Sequence, residues 1–107
     1  MENEKLELDR AEVNALIKAI LYLKFECEDV DSLLYCSSPL INSTLEKLLG
    51  MYGYKSDWDK VFSVLPNINR RMAMDKISRS EGNGVSFDEK TKNEIIEQYL
   101  FPYKLDK

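Results

Sequence analysis

The apolar and polar positions of the chain follow the period of an α-helix most clearly near its start. Apolar side chains recur three and four positions apart at Val13, Leu16, Ile17, Ile20 and Leu21. Asp9 and Glu12 precede this run as a capping box, in which each side chain accepts a hydrogen bond from the other residue's backbone N–H. Few polar residues interrupt the run. It therefore predicts a central helix over residues 10–27, buried between several neighbours, with Ile17 and Ile20 among its most buried residues.

Capping residues, glycines and prolines divide the rest of the chain into shorter helices. Ser38 followed by Pro39 predicts a helix over residues 39–52, because serine caps a helix start and proline suits its first position. Asp29 or Asp31 is placed to cap a short helical turn ahead of that helix. Later helices are predicted to begin at the capping signals Ser56, Asn67 and Ser86 and to end near Pro66, Gly82 and Pro102.

No stretch of alternating apolar and polar residues is long enough to predict a β-strand. The pattern predicts an all-α fold, a compact bundle of four or five helices packed around the central N-terminal helix. The length of 107 residues and the absence of repeats or linkers indicate a single helical domain over residues 1–107. Residues 1–8 and 103–107 are expected to be loosely ordered tails.

Charge is distributed unevenly along the chain, whose formal net charge is −4. Residues 1–31 hold nine acidic and four basic residues, whereas the remainder is close to neutral. Four acids just after the central helix form what we call the acidic cluster: Glu26, Glu28, Asp29 and Asp31. Such a group is commonly a solvated helix end, and it is also the type of surface that binds a basic protein. It lacks the pattern of a calcium-binding loop.

Two other groups of side chains are candidate contact surfaces. Basic residues recur along one predicted helix as a basic strip: Arg70, Arg71, Lys76 and Arg79. This strip would contact a phosphate or an acidic partner, although Asp75 neutralises part of it. Aromatic residues gather at a predicted turn, which we call the aromatic turn: Tyr52, Tyr54 and Trp58. Aromatic residues are enriched at protein interfaces, but they also serve as ordinary core residues.

The chain lacks the residues on which most catalytic and metal sites depend. It contains no histidine, the commonest general base and metal ligand, and it has no glycine-rich phosphate loop. Cys27 and Cys36 have no CxxC partner, so we expect free thiols packed like small apolar side chains. These features predict no catalytic residue, no metal and no cofactor. The charged first residues lack the apolar segment of a signal peptide, and no apolar run suits a membrane span, which together predict a cytoplasmic protein.

Small size, negative charge and missing catalytic groups favour a non-enzymatic protein-binding module. An immunity protein, an antitoxin or an inhibitor from a phage or mobile element, which blocks a protein partner such as a basic enzyme, fits this composition best. The alternative is a regulator that contacts nucleic acid or a nucleotide through the basic strip, although negative net charge disfavours nucleic acid as a partner. A third hypothesis is a structural subunit of a homo-oligomer, for example a homodimer.

Overall fold

The computed structural model describes residues 3–105 of the chain. Within this range the chain forms six α-helices and no β-strand, so the predicted all-α fold is confirmed. The helices are α1 (Arg10–Phe25), α2 (Leu33–Cys36), α3 (Pro39–Leu49), α4 (Lys55–Val61), α5 (Asn67–Gly82) and α6 (Glu89–Leu100). Two short 3-10 turns, Val30–Ser32 and Met51–Gly53, precede α2 and α4. No helix in residues 3–105 is long and apolar enough to cross a membrane.

Helix α1 begins where the capping box predicts, but it buries only one face. The backbone N–H of Glu12 donates to the Asp9 carboxylate at 2.8 Å, and the N–H of Asp9 donates to the Glu12 carboxylate at 2.9 Å. Ile17 is 1% exposed, as predicted, whereas Leu16 is 43% exposed and Ile20 is only half-buried. The prediction of a helix enclosed on most sides is therefore wrong. The main neighbours of α1 are α2 and α3, which leave its opposite face in solvent.

The other helix starts are only partly those that the sequence predicts. Ser38 caps α3 as predicted, because its hydroxyl accepts a backbone N–H at 3.2 Å, and Asp29 caps the first 3-10 turn. Within residues 3–105, no capping hydrogen bond is made by the predicted caps Ser56, Asn67 and Ser86. The carboxylate of Asp88 caps α6 instead, accepting a backbone N–H at 2.7 Å. Pro66, whose backbone φ is restricted, immediately precedes α5 and makes Asn67 its first helical residue.

Two clusters of buried side chains form the core. The first joins α1, α3 and the residue after α4: Val13, Ile17, Leu45, Leu48, Leu49 and Phe62. The second joins α2, α5 and α6: Leu33, Cys36, Ala73, Ile77, Tyr99 and Leu100. Helix α1 contacts both, since Leu21 packs against the first cluster and Leu23 against the second. In α5 Ile77 faces inward, whereas Ile68 is 66% exposed.

The segments that the sequence predicts to be loose tails are partly docked on this core. Leu8 packs against the first core cluster. After α6 the chain turns back, so that the Tyr103 ring packs edge-on against Phe25 and Phe62 at centroid distances of 5.2 and 4.9 Å. The first two and last two residues of the chain, which belong to the same predicted tails, lie outside the described residues.

Replacing Ile17 by alanine is expected to lower the free energy of unfolding by about 2–5 kcal/mol, because it leaves a cavity in the first core cluster. The matched control is Leu16→Ala, one position away on the same helix but exposed, which should change this free energy by about 1 kcal/mol or less. Urea unfolding followed by circular dichroism measures both values. Equal losses in the two variants would contradict the observed orientation of α1.

Candidate functional site

The C-terminal ends of α1, α2 and α6 meet around Lys24, which lies near the end of α1 and is fully buried. Its ammonium group donates to the carbonyl of Cys36, the last residue of α2, at 2.8 Å. It also donates to the carbonyls of Gln98 and Tyr99, in the last turn of α6, at 2.8 and 3.1 Å. Carbonyls at helix C-termini carry partial negative charge. These three acceptors therefore stabilise the ammonium without a carboxylate.

Lys76 of α5 is a second fully buried lysine and reaches the same region. Its Nζ donates to the hydroxyl of Ser32 at 2.7 Å and to the carbonyl of Leu23, in the last turn of α1, at 3.2 Å. The same Nζ lies 3.8 Å from the Cys36 sulfur and 5.0 Å from the centre of the Tyr99 ring. Lys76 thus connects α5 to the end of α1 and the start of α2. We call this group the buried lysine cluster: Lys24, Ser32, Cys36, Lys76 and Tyr99.

The hydroxyl and thiol groups of the buried lysine cluster have defined hydrogen-bond directions. The Ser32 hydroxyl donates to the carbonyl of Asp29 at 2.6 Å, which leaves its oxygen to accept from Lys76. The Cys36 thiol donates to a carbonyl in the last turn of α1 at 3.0 Å. The Tyr99 hydroxyl is the exception, since it is buried and has no hydrogen-bond partner among residues 3–105.

Burial changes the acidity of these groups. Removal from water lowers the pKa of Lys24 to about 7, and the nearby Cys36 opposes that shift. Burial also lowers the pKa of Lys76 and raises the pKa of the Tyr99 phenol. Near pH 7 Lys24 is therefore much closer to its neutral form than an exposed lysine is.

The buried lysine cluster joins helices and is closed to substrate-sized molecules. All five of its members are buried, so none of them lines a surface that a substrate could reach. Within residues 3–105, no three His, Cys, Asp or Glu side chains come together as metal ligands. Cys27 and Cys36 are free thiols, as predicted. Surfaces that contact a partner therefore have to lie outside this cluster.

The acidic cluster is exposed, and its carboxylates form no salt bridge within the described residues. Arg79 borders it through a hydrogen bond from its guanidinium to the carbonyl of Glu28, but its ion pair is with Asp75 at 2.9 Å. The Asp29 carboxylate accepts the N–H of Asp31 at 3.0 Å, which fixes the turn that carries both residues. The four negative charges are thus available to a partner.

An apolar groove of about 460 Å³ lies next to the acidic cluster, between the α2 segment and the loop before α6. Its apolar lining includes Leu33, Leu34, Tyr35, Val85, Phe87 and Ile95. Leu34 is 72% exposed, and Tyr35 and Val85 are also exposed. Among the described residues that line the groove, Asp31 is the only charged one. Because Asp31 also belongs to the acidic cluster, the two features form one continuous surface, which we call the acidic groove.

The aromatic turn is largely engaged within the chain. The guanidinium of Arg10 lies over the rings of Tyr52 and Tyr54, 5.4 and 5.5 Å from their centres. Trp58 stacks on Phe62 of the first core cluster at 5.9 Å. Tyr52 has a left-handed backbone with φ 59°, and its hydroxyl donates to a carbonyl ahead of α1. These contacts use ring faces that a partner would need, so a binding role for the aromatic turn stays a prediction.

The basic strip is not continuous at the surface. Lys76, predicted to be one of its contacts, is fully buried, because it lies on the inner face of α5 where helix ends offer acceptors. Arg79 is paired with Asp75. Of the four predicted members, Arg70 and Arg71 are the two that remain exposed without a salt bridge within the described residues. A phosphate contact through this strip would therefore rest on two arginines.

Sequence reasoning missed the buried lysine cluster, although one signal was present. Lys24 lies seven residues after Ile17, and Lys76 lies three residues after Ala73, so both continue the apolar stripe of their helix. A lysine in such a stripe is expected to interrupt it and to face solvent, because an unpaired charge is costly to bury. The carbonyls that compensate this cost belong to helices distant in sequence, and the spacing of apolar residues within one helix does not show that these carbonyls lie near the lysine.

The free energy of unfolding should rise with pH above neutrality because of Lys24. The unfolded chain holds the lysine proton up to its ordinary pKa of 10.5, whereas the folded protein releases it at about 7. Between these values the unfolded state binds more protons, so this group raises stability by at most about 1.4 kcal/mol per pH unit. Urea unfolding between about pH 7 and 9 measures the slope. Lys24→Met, which cannot titrate, should show a smaller slope, and equal slopes would contradict the assignment to Lys24.

Comparisons with known proteins add no assignment to this geometry. The chain matches no protein-family model, and searches of curated proteins and of solved structures found no match. The function therefore has to be inferred from the chemistry of the described surfaces.

Proposed function

We propose that the protein is a non-enzymatic, cytoplasmic protein-binding module whose contact surface is the acidic groove. The observation that carries this proposal is the position of Asp31, which belongs to the acidic cluster and also lines the apolar groove. A groove with this combination is complementary to a segment that presents an apolar side chain next to lysine or arginine. The two free thiols fit a reducing compartment such as the cytoplasm.

The acidic cluster would govern how fast a basic partner associates. Its carboxylates form no salt bridge within residues 3–105, so a partner does not have to displace an internal cation from them. Nine acids against four bases in residues 1–31 add to the negative potential on approach. Attraction of this kind acts mainly on the association rate and fades with salt, because the Debye length is about 8 Å at physiological ionic strength.

The apolar lining would supply the affinity that exposed charges lack. Surface ion pairs contribute only about 0–1 kcal/mol each, whereas burial of apolar surface contributes about 25 cal/mol per Å². Leu34, Tyr35 and Val85 offer exposed apolar area around one concave surface. A partner side chain inserted between them would be removed from water, which is the typical setting of a binding hot spot.

An inhibitor of a basic protein is the type of module that this surface fits best. Immunity proteins, antitoxins and inhibitors from phages or mobile elements act by covering a surface of another protein, which requires complementary shape and charge and no catalytic group. The acidic groove provides both forms of complementarity on one side of the molecule. Self-association through the same groove is the competing hypothesis, and light scattering distinguishes a monomer from a homodimer.

The triple variant Glu28→Lys, Asp29→Lys and Asp31→Lys should slow association with a basic partner by about tenfold or more at low salt, because attraction becomes repulsion. The partner is first identified by affinity capture from the native cell with the wild-type protein. Association rates are then measured by surface plasmon resonance at low and physiological salt. The difference between wild type and variant should shrink as salt rises.

A charge-matched control reverses three exposed acids on α3 and α6: Glu46, Glu94 and Glu97. Both triple variants have the same net charge. Because Asp29→Lys also removes the cap of the first 3-10 turn, circular dichroism first checks that this variant keeps its helix content. An unchanged rate in the first variant, or equal slowing in both, would show that the acidic cluster is not the contact.

Replacing Leu34 by aspartate should speed dissociation of the same complex by about tenfold or more, because it places a charge in the apolar part of the interface. The matched control is Leu40→Asp on α3, since Leu40 is 80% exposed and does not line the groove. Dissociation rates from the captured partner provide the comparison. If both variants dissociate equally fast, the groove does not carry the affinity.

A further inference from the structure

We propose that Cys36 and Lys76 form a modification site at which hydrogen peroxide drives a covalent bond between the cysteine sulfur and the lysine nitrogen. The product is a sulfenamide that joins α2 to α5, and a thiol reductant breaks it again. The site lies inside the core and does not depend on the protein-binding function proposed above.

The hydrogen bonds around Lys76 direct its amine at the sulfur. The Leu23 carbonyl, 3.2 Å from Nζ, can only accept a hydrogen bond. The Ser32 hydroxyl, 2.7 Å from Nζ, already donates its proton to the carbonyl of Asp29, so towards Lys76 its oxygen also accepts. A neutral amine has two N–H bonds and one lone pair. In the ammonium form the third N–H donates to the Cys36 sulfur at 3.8 Å, so loss of that proton leaves the nitrogen lone pair directed at the sulfur.

The surroundings favour the neutral, nucleophilic form of this amine. Burial lowers the pKa of Lys76, while the Cys36 thiol acts in the opposite direction. No carboxylate within residues 3–105 forms a salt bridge with it. The guanidinium of Arg79, one turn along α5, lowers this pKa further.

An unpartnered hydroxyl lies beside the same sulfur. Tyr99 is fully buried, and its hydroxyl makes no hydrogen bond within the part of the chain that the structure describes. The Nζ of Lys76 lies next to both groups, 3.8 Å from the Cys36 sulfur and 5.0 Å from the centre of the Tyr99 ring. Burial raises the pKa of this phenol, and the neighbouring Cys36 raises it further. A sulfenic acid on Cys36 would bring an oxygen atom next to the hydroxyl and accept its hydrogen bond. The unsatisfied hydroxyl therefore favours the intermediate that the reaction requires.

The reaction has two balanced steps. In the first, the Cys36 sulfur attacks one oxygen of hydrogen peroxide, the O–O bond breaks, the thiol proton passes to the departing oxygen, and water leaves. The sulfur has then lost two electrons to peroxide and carries a hydroxyl group as a sulfenic acid. In the second step the Lys76 nitrogen attacks this sulfur and the S–O bond breaks. One nitrogen proton passes to the departing hydroxide, a second water leaves, and the S–N bond remains.

Opening of α2 gives peroxide access to the thiol. This helix is a single turn of four residues, and a helix that short is held by its packing and not by its own hydrogen bonds. Leu34 and Tyr35 on its outer side are exposed, so no other element has to move away with it. Local opening of this turn exposes Cys36, while α5 keeps Lys76 in place.

The test uses the full chain with Cys27→Ser, which removes a competing disulfide between the two cysteines. The folded protein is treated with hydrogen peroxide at a dose that oxidises the exposed Met74, and its tryptic peptides are sequenced by mass spectrometry. We expect no cleavage after Lys76 and a peptide pair joined at Cys36 and Lys76. Compared with the two separate peptides in the same state of methionine oxidation, this pair should be lighter by two hydrogen atoms. Dithiothreitol should separate it.

The control variant Lys76→Arg, in the same background, keeps a cation in α5 but removes the nucleophilic amine. It should lose the joined pair and carry a sulfenic acid on Cys36 that dimedone traps. A link from Cys36 to a backbone nitrogen or to another lysine, oxidation of Cys36 without any link, or an unmodified Cys36 would each overturn the proposal. Because these outcomes are read with Lys76 intact, they stand even if Lys76→Arg does not fold.

Discussion

The packing of the helices depends on the hydrogen bonds between the Nζ atoms of two buried lysines, Lys24 and Lys76, and the ends of helices. Lys24 binds carbonyls at the ends of α2 and α6, and Lys76 binds a carbonyl at the end of α1. Partial charges on helix termini replace the carboxylates that usually accompany a buried lysine. Without the amino group of Lys24, buried carbonyls of two helices would lose a donor at the same time. These hydrogen bonds connect the helices of the second core cluster to α1.

The same network also determines where the acidic surface lies. Ser32, which accepts from Lys76, belongs to the 3-10 turn that carries Asp31 and follows Asp29. The inner side of this turn is therefore held by the buried lysine cluster, while its outer side presents carboxylates. Helix α2 follows directly and forms one wall of the acidic groove with its outer residues. A covalent bond between Cys36 and Lys76 would form directly beneath the surface proposed to bind a partner.

The features that the sequence predicts correctly depend on short-range interactions. The capping box at Asp9, the cap at Ser38 and the burial of Ile17 follow from residues within one or two helical turns. The exposure of the acidic cluster follows from like charges that lie close together beyond a helix end. The caps predicted at Ser56 and Ser86 are not used within residues 3–105, because α4 begins at Lys55 without a capping side chain and Asp88 caps α6.

By itself, the sequence determined the all-α class, the start of α1 and the acidic character of the turn that follows it, because each depends on the spacing of neighbouring side chains. Only the tertiary structure decided that Leu16 faces solvent and that Lys76 faces the core. Which face of a helix is covered depends on the neighbours that reach it, and here those neighbours come from distant parts of the chain. A lysine is buried when carbonyls from several helices meet at its nitrogen, a coincidence in space that has no period along the sequence.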